Sequence, residues 1–459
     1  MDTEHIPTKL KDCACEICQL KLPFDFPKGL LDDFVSGRVA LFVGAGVSTE
    51  NKSVLKYSLY DVVAAELGVE KTGLSFPDLM EQYAQQPNGR IKLLSHIRKR
   101  LDHIYSFPEL YESATRFHRE LSTLSTVDTI VTTNWDTYFE HECLASPFVF
   151  PEDIAFWDAA ERRVLKIHGT IENYSSIVAT RTDYNACKRR LTDNMIGVIL
   201  KKILATKTVV FLGYSVRDDD FIYIMKSVQS QMQALGRTSY IVTLDDSVGA
   251  QRRYAELRLI PIVTDGTHFI ERIKKHLVST SCLLPDHVFK DVEELLENVY
   301  MAHFELFDYF SIFKNPEIII CACYQDGLQH GLERILRLKN SGIYSHTCKA
   351  IETARKYTTL RKEYLAKKQY GDVAYIDGYI NAFLFLASQK YDDEILKAPP
   401  PPFYAIGYNG DIFTLKKYKK LIREIPGFHK AAFAFCKRTA DKFRGHEQES
   451  IVMHHKCWL

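Results

Sequence analysis

Three stretches of the sequence place polar side chains directly after an apolar run. They are VTTNWD at 131–136, LKIHGT at 165–170 and FLGYS at 211–215. Such side chains can hold hydroxyl groups, orient a water molecule or move a proton, and histidine titrates near neutral pH. A structural interpretation is also open, since Asn and Asp cap helices and a single His often only packs. The candidate residues are Thr132, Thr133, Asn134, Asp136, His168, Gly213 and Ser215.

A glycine-rich turn lies in LFVGAGVSTE, at 41–50. Gly44 and Gly46 permit close approach of a phosphate, and the Ser-Thr pair at 48–49 predicts a helix whose dipole attracts its charge. The alternative is a tight turn in which glycine serves packing alone. Thr49 stands where G-x-G-x-x-G has its third glycine, and residues 58–120 have helical periodicity where a second strand belongs. The pattern therefore argues against a hydride-transferring dehydrogenase.

An acidic run, Asp218–Asp220, follows Arg217 after the third apolar stretch. Three consecutive carboxylates can bind a metal ion, or they can stabilise the start of a helix by interacting with its dipole. We favour the helix cap, which leaves Ser215 free to contact a ligand.

Strands and helices alternate around these residues. A buried strand is predicted in RVALFVGAG, further strands at 127–134, 163–169, 207–215 and 238–246, and a short one in LRLIPIVTDG. This predicts an α/β fold, a Rossmann-like doubly wound parallel sheet with inserted helices, whose ligands bind at the carboxyl ends of the strands.

Beyond about residue 285 the periodicity is mostly helical, and a tetraproline at 399–402 interrupts it. EIIICACYQDG, at 317–327, is predicted to be a buried strand. We therefore divide the chain into an irregular lead-in at 1–28, an α/β domain at 29–284 and a mostly helical domain at 285–459.

Composition limits the function classes. The 459 residues suit two domains, with 46% apolar and 25% charged residues. A net charge of +1 gives no global field for nucleic acid or an anionic membrane. The sequence has no secretory pattern at its N-terminus and no apolar run of about 18 residues. We predict a cytoplasmic protein without membrane or direct nucleic-acid partners.

The 11 cysteines indicate reduced thiols rather than disulfides. Cys13, Cys15 and Cys18 lie close together in CACEIC, but zinc needs four ligands and there is no second Cys-x-x-Cys pair. We expect no metal, with structural zinc at these cysteines as the weaker alternative.

In their order and spacing, GAGVS, TTNWD, KIHGT and FLGYSVRDDD resemble the sirtuin-like (Sir2-like) NAD-hydrolysing domains of bacterial anti-phage defence proteins, over about residues 29–275. The resemblance implies that His168 is the catalytic base and that Asn134 and Asp136 contact the nicotinamide ribose or position water. The cofactor-binding residues that it implies are Gly44, Ala45, Gly46 and Ser48 at the pyrophosphate, Thr133, and Gly213, Ser215 and Thr243 towards adenosine.

Two departures from deacylating sirtuins matter. Between His168 and Cys282 the sequence has Cys187 alone, so the zinc module with two Cys-x-x-Cys pairs is missing. ENKSVLKYSLYD replaces the expected GIPDFR segment. The resemblance therefore implies hydrolysis of NAD⁺, as substrate, to ADP-ribose and nicotinamide, with water in place of an acyl group.

The resemblance also implies an effector of anti-phage defence that acts by NAD⁺ depletion (abortive infection) and is autoinhibited until triggered. The helical domain would then serve oligomerisation, regulation or partner docking, in a homo-oligomer or with a helicase-type ATPase or a phage-sensing protein. Two alternatives stay open: a sensor that binds NAD⁺ or ADP-ribose without turnover, and a protein-modifying sirtuin, either a deacylase or an ADP-ribosyltransferase.

Overall fold

The computed structural model describes residues 20–444 except 53, 70–72, 407, 409 and 425–429. The chain divides into two compact units, Met1–Ser279 and Thr280–Leu459. No described helix is long and apolar enough to cross a lipid bilayer. The zinc alternative at Cys13, Cys15 and Cys18 falls outside the described residues.

The first unit is built on a seven-stranded, all-parallel sheet with the order β3-β4-β2-β1-β5-β6-β7. This confirms the predicted α/β fold. The short strand β3 was not predicted. The strands are β1 Val39–Val43, β2 Thr129–Thr132, β3 Ser146–Phe148, β4 Arg163–Lys166, β5 Thr208–Leu212, β6 Ser239–Thr243 and β7 Leu259–Val263.

Helices cover both faces of this sheet, which explains why the central strands are continuous apolar runs. On one face Phe42, Phe211 and Phe221 pack together, with ring centroids 4.3 to 5.7 Å apart. On the other face Leu212 lies next to Gly266 at the start of a helix. The helices outside the β1–β2 connection are α1 Leu30–Val35, α6 Tyr138–Cys143, α7 Arg181–Asp193, α8 Met195–Thr206, α9 Asp219–Met232, α10 Val248–Glu256 and α11 Gly266–Ser279.

Four helices are inserted between β1 and β2, as the periodicity of residues 58–120 predicts. The first starts at a capping box, in which the Ser58 hydroxyl accepts a bond from the Asp61 N–H at 3.1 Å and the Asp61 carboxylate accepts one from the Ser58 N–H at 3.0 Å. Apolar residues of three of them form a core of their own. The inserted helices are α2 Leu59–Leu67, α3 Phe76–Ala84, α4 Gly89–Ser106 and α5 Pro108–Ser122.

The second unit is helical throughout its described part, apart from one isolated β-bridge. The prediction of a strand at 317–327 is wrong, because this segment lies within helix α13. Residues 318–329 are all buried, so this part of the helix is buried on every side and lacks the periodicity of a half-exposed helix. The helices are α12 Val288–Tyr309, α13 Ile318–Arg337, α14 Thr347–Ala366, α15 Tyr370–Ser388, α16 Glu394–Lys397, α17 Leu415–Glu424 and α18 Lys430–Lys442.

Candidate active site

The glycine-rich turn after β1 packs directly against the end of β5. The N–H groups of Gly44 and Gly46 donate to the carbonyl oxygens of Leu212 and Gly213, both at 2.9 Å. A Cβ atom on Gly44 would lie 2.6 Å from the Gly213 oxygen, and one on Gly46 would lie 2.8 Å from it. Glycine is therefore required at both positions for the two turns to approach. Strand order reverses here, since β1 lies between β2 and β5, and such a switch point opens a ligand crevice.

The prediction that a helix follows this turn directly is wrong. Residues Ala45–Val47 form a single 3₁₀ turn, and the next α-helix is α2, which starts at Leu59. The reason is that two amides of the turn bond to carbonyl groups of β5, and Glu50 N–H bonds back to Ala45 at 2.9 Å. A helix dipole is therefore not part of this turn.

The loop after β2 presents Asn134. The Thr132 hydroxyl donates to the carbonyl oxygen of Val43 at 2.8 Å and accepts from the Asn134 N–H at 3.0 Å, which ties the loop to β1. The Asn134 side chain is buried, and neither its oxygen nor its nitrogen has a hydrogen-bond partner among the described residues. A buried amide without partners is costly, so this side chain is suited to bind a ligand hydroxyl or a water.

Asp136 follows in the same loop and is also buried. Burial raises the pKa of its carboxyl group to about 6, although the nearby ammonium of Lys166 acts in the opposite direction. Lys166 is fully buried, bonds to the backbone oxygen of Asp136 and lies 2.9 Å from the Glu140 carboxylate. A lysine of β4 therefore fixes the loop that carries Asn134 and Asp136.

His168 follows β4 and is 3% exposed. Its Nε2 lies 3.1 Å from Oδ2 of Asp220, which is 1% exposed. Burial disfavours a charged imidazole, but the hydrogen bond and charge of Asp220 outweigh it and raise the pKa of His168. In turn, His168 lowers the pKa of Asp220 in spite of burial. When Nε2–H donates to Asp220, Nδ1 is the proton acceptor of the ring, as a general base requires.

The acidic run lies at the start of α9, as predicted, with Asp218 at the N-cap position and Asp219 and Asp220 in the first turn. Asp218 precedes the helix without making a side-chain cap bond and accepts instead from the Tyr184 hydroxyl at 2.9 Å. Asp220 pairs with His168 because the start of α9 lies beside the end of β4.

Cys187 lies next to this pair, and the three residues offer ligand atoms within 4.8 Å of one another. The Cys187 thiol donates to the backbone oxygen of Ile167 at 3.4 Å, and burial raises its pKa. A thiol held in the protonated form is a poor metal ligand. The group is therefore best described as an imidazole–carboxylate pair beside a neutral thiol.

Two cavities open along the crevice. The His168 cavity has a volume of about 350 Å³ and the Thr243 cavity one of about 390 Å³. Of the predicted site residues, the His168 cavity is lined by Ala45, Gly46, Thr133, Asn134, Asp136, His168, Gly213 and Ser215. The Thr243 cavity is lined by Gly46, Gly213, Ser215 and Thr243.

Gly46, Gly213 and Ser215 thus line both cavities. Gly44 and Ser48 line neither. Ser48 is fully buried, and its hydroxyl lacks a partner among the described residues. The predicted residues are therefore brought together around one crevice, with Gly44 and Ser48 beneath its surface.

Three residues of the site were not predicted to act there: Glu50, Lys166 and Asp220. A lysine inside the apolar run VLKIHG is unusual for a buried strand, and this pattern could have pointed to Lys166. The pairing of Asp220 with His168 spans 52 residues of sequence, and no local pattern indicates it.

Comparisons with known proteins show what the chain is similar to. A family model described as a SIR2-like domain matches residues 128–262. The protein named NAD(+) hydrolase ThsA from Cytobacillus dafuensis is 29% identical over 222 residues, which are 47% of this chain and 42% of that protein. Its namesake from Enterococcus faecium is 28% identical over 45% of this chain and 43% of its own length. The protein of the same name from Bacillus cereus (strain MSX-D12) is 26% identical over 47% of this chain and 44% of its own length.

The chain thus spans less than half the length of these relatives. The family-model match at 128–262 contains β2 to β6 and most of β7, together with the loops that carry Asn134, His168 and Ser215. The resemblance predicted from the sequence is confirmed: this chain carries a SIR2-like domain.

Proposed function

We propose that this protein hydrolyses NAD⁺ to ADP-ribose and nicotinamide. The observation that carries the proposal is that His168, paired with Asp220, and the unpartnered Asn134 line one cavity. That cavity shares Gly46 and Ser215 with the Thr243 cavity, so an elongated dinucleotide can extend across the switch point. The names of the relatives, NAD(+) hydrolase ThsA, support the same reaction.

The proposed reaction breaks the bond between the ribose C1′ and the nicotinamide nitrogen. The bonding electron pair leaves with the nitrogen, and positive charge builds up on the ribose. Asn134 orients a water molecule, and Nδ1 of His168 accepts its proton as the oxygen bonds to C1′. Asp220 holds the imidazole in the required tautomer and stabilises the imidazolium that forms.

The wall of the His168 cavity suits the nicotinamide ring. Its lining includes Leu59, Tyr60, Phe76 and Leu101 of the inserted helices and Trp135 of the β2 loop, all of them apolar or aromatic. Such a surface binds a flat heterocycle and displaces bulk water from the reacting bond. The inserted helices thereby become part of the substrate site.

We further propose that the enzyme acts in the cytoplasm as an effector of anti-phage defence, autoinhibited until infection. This follows from the sirtuin-like motif series, because an unrestrained NAD⁺ hydrolase would deplete its host. The helical unit would control the activity through self-association or through a partner protein, either a helicase-type ATPase or a phage sensor.

Turnover of NAD⁺ by the purified full chain, alone and with an extract of phage-infected cells, tests the proposal. His168→Ala and Asn134→Ala are each expected to lower the rate by about 100-fold or more. His96→Ala is a matched control, because His96 lies in α4, pairs with Glu66 and lines neither cavity. Undiminished cleavage in both site variants would refute the assignment. Binding of NAD⁺ without turnover under any condition would support a sensor, and transfer of label from NAD⁺ to protein would support a protein-modifying enzyme.

The defence role has its own test. In bacteria that express the protein, cellular NAD⁺ is expected to fall after phage infection, but not when His168→Ala is expressed. Equal loss of NAD⁺ in cells that express the parent protein and in cells that express His168→Ala would contradict the defence role.

A further inference from the structure

Glu50 lines both cavities and so lies where they meet. Its backbone N–H is bonded to the Ala45 carbonyl at 2.9 Å, so the glycine turn fixes its position. One carboxylate oxygen lies 3.2 Å from Nη2 of Arg100. The Glu50 side chain is 33% exposed, which leaves room for a ligand contact.

Arg100 is held in place independently of Glu50. Its guanidinium donates to the backbone oxygens of Tyr57 at 2.6 Å and Thr49 at 2.8 Å, and its side chain is 13% exposed. Arg100 therefore acts as a fixed anchor, and the Glu50 carboxylate is oriented by a partner that does not itself line either cavity.

The balance of charge differs between the two cavities. Among the described residues that line the Thr243 cavity, four are cationic (Lys52, Arg116, Arg217 and Arg253) and three are acidic (Glu50, Asp245 and Asp265), and two of the cations, Arg116 and Arg253, pair with Asp265 and Asp245. Among those that line the His168 cavity, no lysine or arginine occurs, whereas Glu50, Asp136 and Asp218 contribute carboxyl groups. NAD⁺ has the same division, with an anionic pyrophosphate on one side and a cationic nicotinamide ribose on the other.

Of these three carboxyl groups, Glu50 is the one that lines both cavities. Burial raises the pKa of Asp136 to about 6, so that group is partly protonated near neutral pH. Asp218 already accepts a hydrogen bond from Tyr184. Burial also raises the pKa of Glu50, although Arg100 and a hydrogen bond from the Leu59 backbone N–H act in the opposite direction. Glu50 is thus held by two partners at the junction of the cavities.

We propose that Glu50 is a further catalytic residue, whose carboxylate contacts the ribose that carries nicotinamide and stabilises the positive charge that develops at its C1′. This inference rests on the proposed function. A ribose hydroxyl donates to the carboxylate, and the attraction between the carboxylate and the ribose grows as the glycosidic bond breaks. Glu50 therefore lowers the barrier more than it strengthens ground-state binding.

Steady-state kinetics of Glu50→Gln test the catalytic role. We expect kcat to fall by about 100-fold while KM rises by no more than about tenfold, because the amide is isosteric but uncharged. Glu66→Gln is the control, since Glu66 lies in α2, bonds to Tyr83 and lines neither cavity; its kcat should not change. If the parent chain turns over NAD⁺ and Glu50→Gln keeps its kcat, the role of Glu50 is refuted while the proposed function stands.

A binding measurement distinguishes failure of the proposal for Glu50 from failure of the proposed function. In a His168→Ala background, which does not cleave, Glu50→Gln should reduce the preference for NAD⁺ over NADH by about tenfold, since NADH lacks the ring charge. This ratio can be measured by calorimetry even if the parent chain proves inactive. An unchanged ratio would overturn the contact between Glu50 and the nicotinamide ribose. A reduced ratio in a chain without turnover would overturn the proposed function and leave that contact standing.

Discussion

Replacing Asp220 by Asn removes one charge from a buried pair and keeps the shape of the side chain. Asp220 and His168 are 1% and 3% exposed, and the atoms Oδ2 and Nε2 lie 3.1 Å apart. A hydrogen bond between charged groups in such a place contributes about 2 kcal/mol to stability. We expect Asp220→Asn to lower the free energy of unfolding of the first unit by about this amount at pH values at which both residues of the pair are charged.

The pH window follows from the directions of the two pKa shifts. The pKa of His168 is raised in the folded state, so its contribution is complete below about pH 6.5 and is lost as pH rises through the raised value. The pKa of Asp220 is lowered, so its contribution is present above about pH 3.9 and is lost as pH falls through the lowered value. The loss in Asp220→Asn should therefore be full near pH 5.5 and smaller at pH 9.

Urea unfolding followed by tryptophan fluorescence measures this loss, because two of the three tryptophans, Trp135 and Trp157, lie in the first unit. Asp219→Asn is the matched control. The Asp219 side chain is 76% exposed, so its carboxylate should contribute little to the free energy of unfolding. An equal loss of stability at pH 5.5 and pH 9 would contradict the charged pair.

Asp220→Asn also tests the role of His168 as a base. Only the neutral imidazole accepts a proton, so kcat/KM for NAD⁺ should rise with pH through the pKa of His168. Asp220→Asn lowers that pKa and should move the rise to lower pH, while the plateau falls by about 100-fold. A rise at unchanged pH would show that another group titrates, and the assignment of His168 would be refuted.

Two glycine positions give further predictions. Gly44→Ala should destabilise the first unit by about 2 kcal/mol and weaken NAD⁺ binding, because the new Cβ would collide with the end of β5; Gly249→Ala, whose Cβ would meet open space, should cost nothing in the same urea assay. Gly327→Ala would place a Cβ 1.8 Å from the Tyr375 backbone oxygen, where α13 and α15 cross. It should lower the thermal unfolding temperature of the second unit and leave NAD⁺ binding unchanged, and a stable second unit would contradict the close crossing.

The sequence predicts those features of the fold that repeat along the chain. Long apolar runs ending in polar residues locate β1, β2, β4 and β5, and their alternation with helical segments leads to the parallel sheet. Strand β3 escaped prediction because Ser146–Phe148 is three residues long and contains a proline. Helix α13 was mistaken for a strand because a short apolar run fits either element, and only packing against α15 decides between them.

The candidate site was predictable in part for the same reason. Asn134 and His168 each follow a strand, and the carboxyl ends of parallel strands meet at one edge. Asp220 and Glu50 could not be placed this way. Asp220 depends on where α9 starts relative to β4, and Glu50 depends on the tight 3₁₀ turn that replaced the expected helix.

Hydrolysis in ¹⁸O-labelled water is the most direct test of the central claim. The purified protein, alone and with an extract of phage-infected cells, is incubated with NAD⁺, and the products are analysed by mass spectrometry. We expect equimolar nicotinamide and ADP-ribose, with one ¹⁸O atom in ADP-ribose and none in nicotinamide, and formation of both products about 100-fold slower or more with Asn134→Ala. Cleavage without ¹⁸O in ADP-ribose, or no cleavage under either condition, would contradict water attack at a site built from Asn134 and His168.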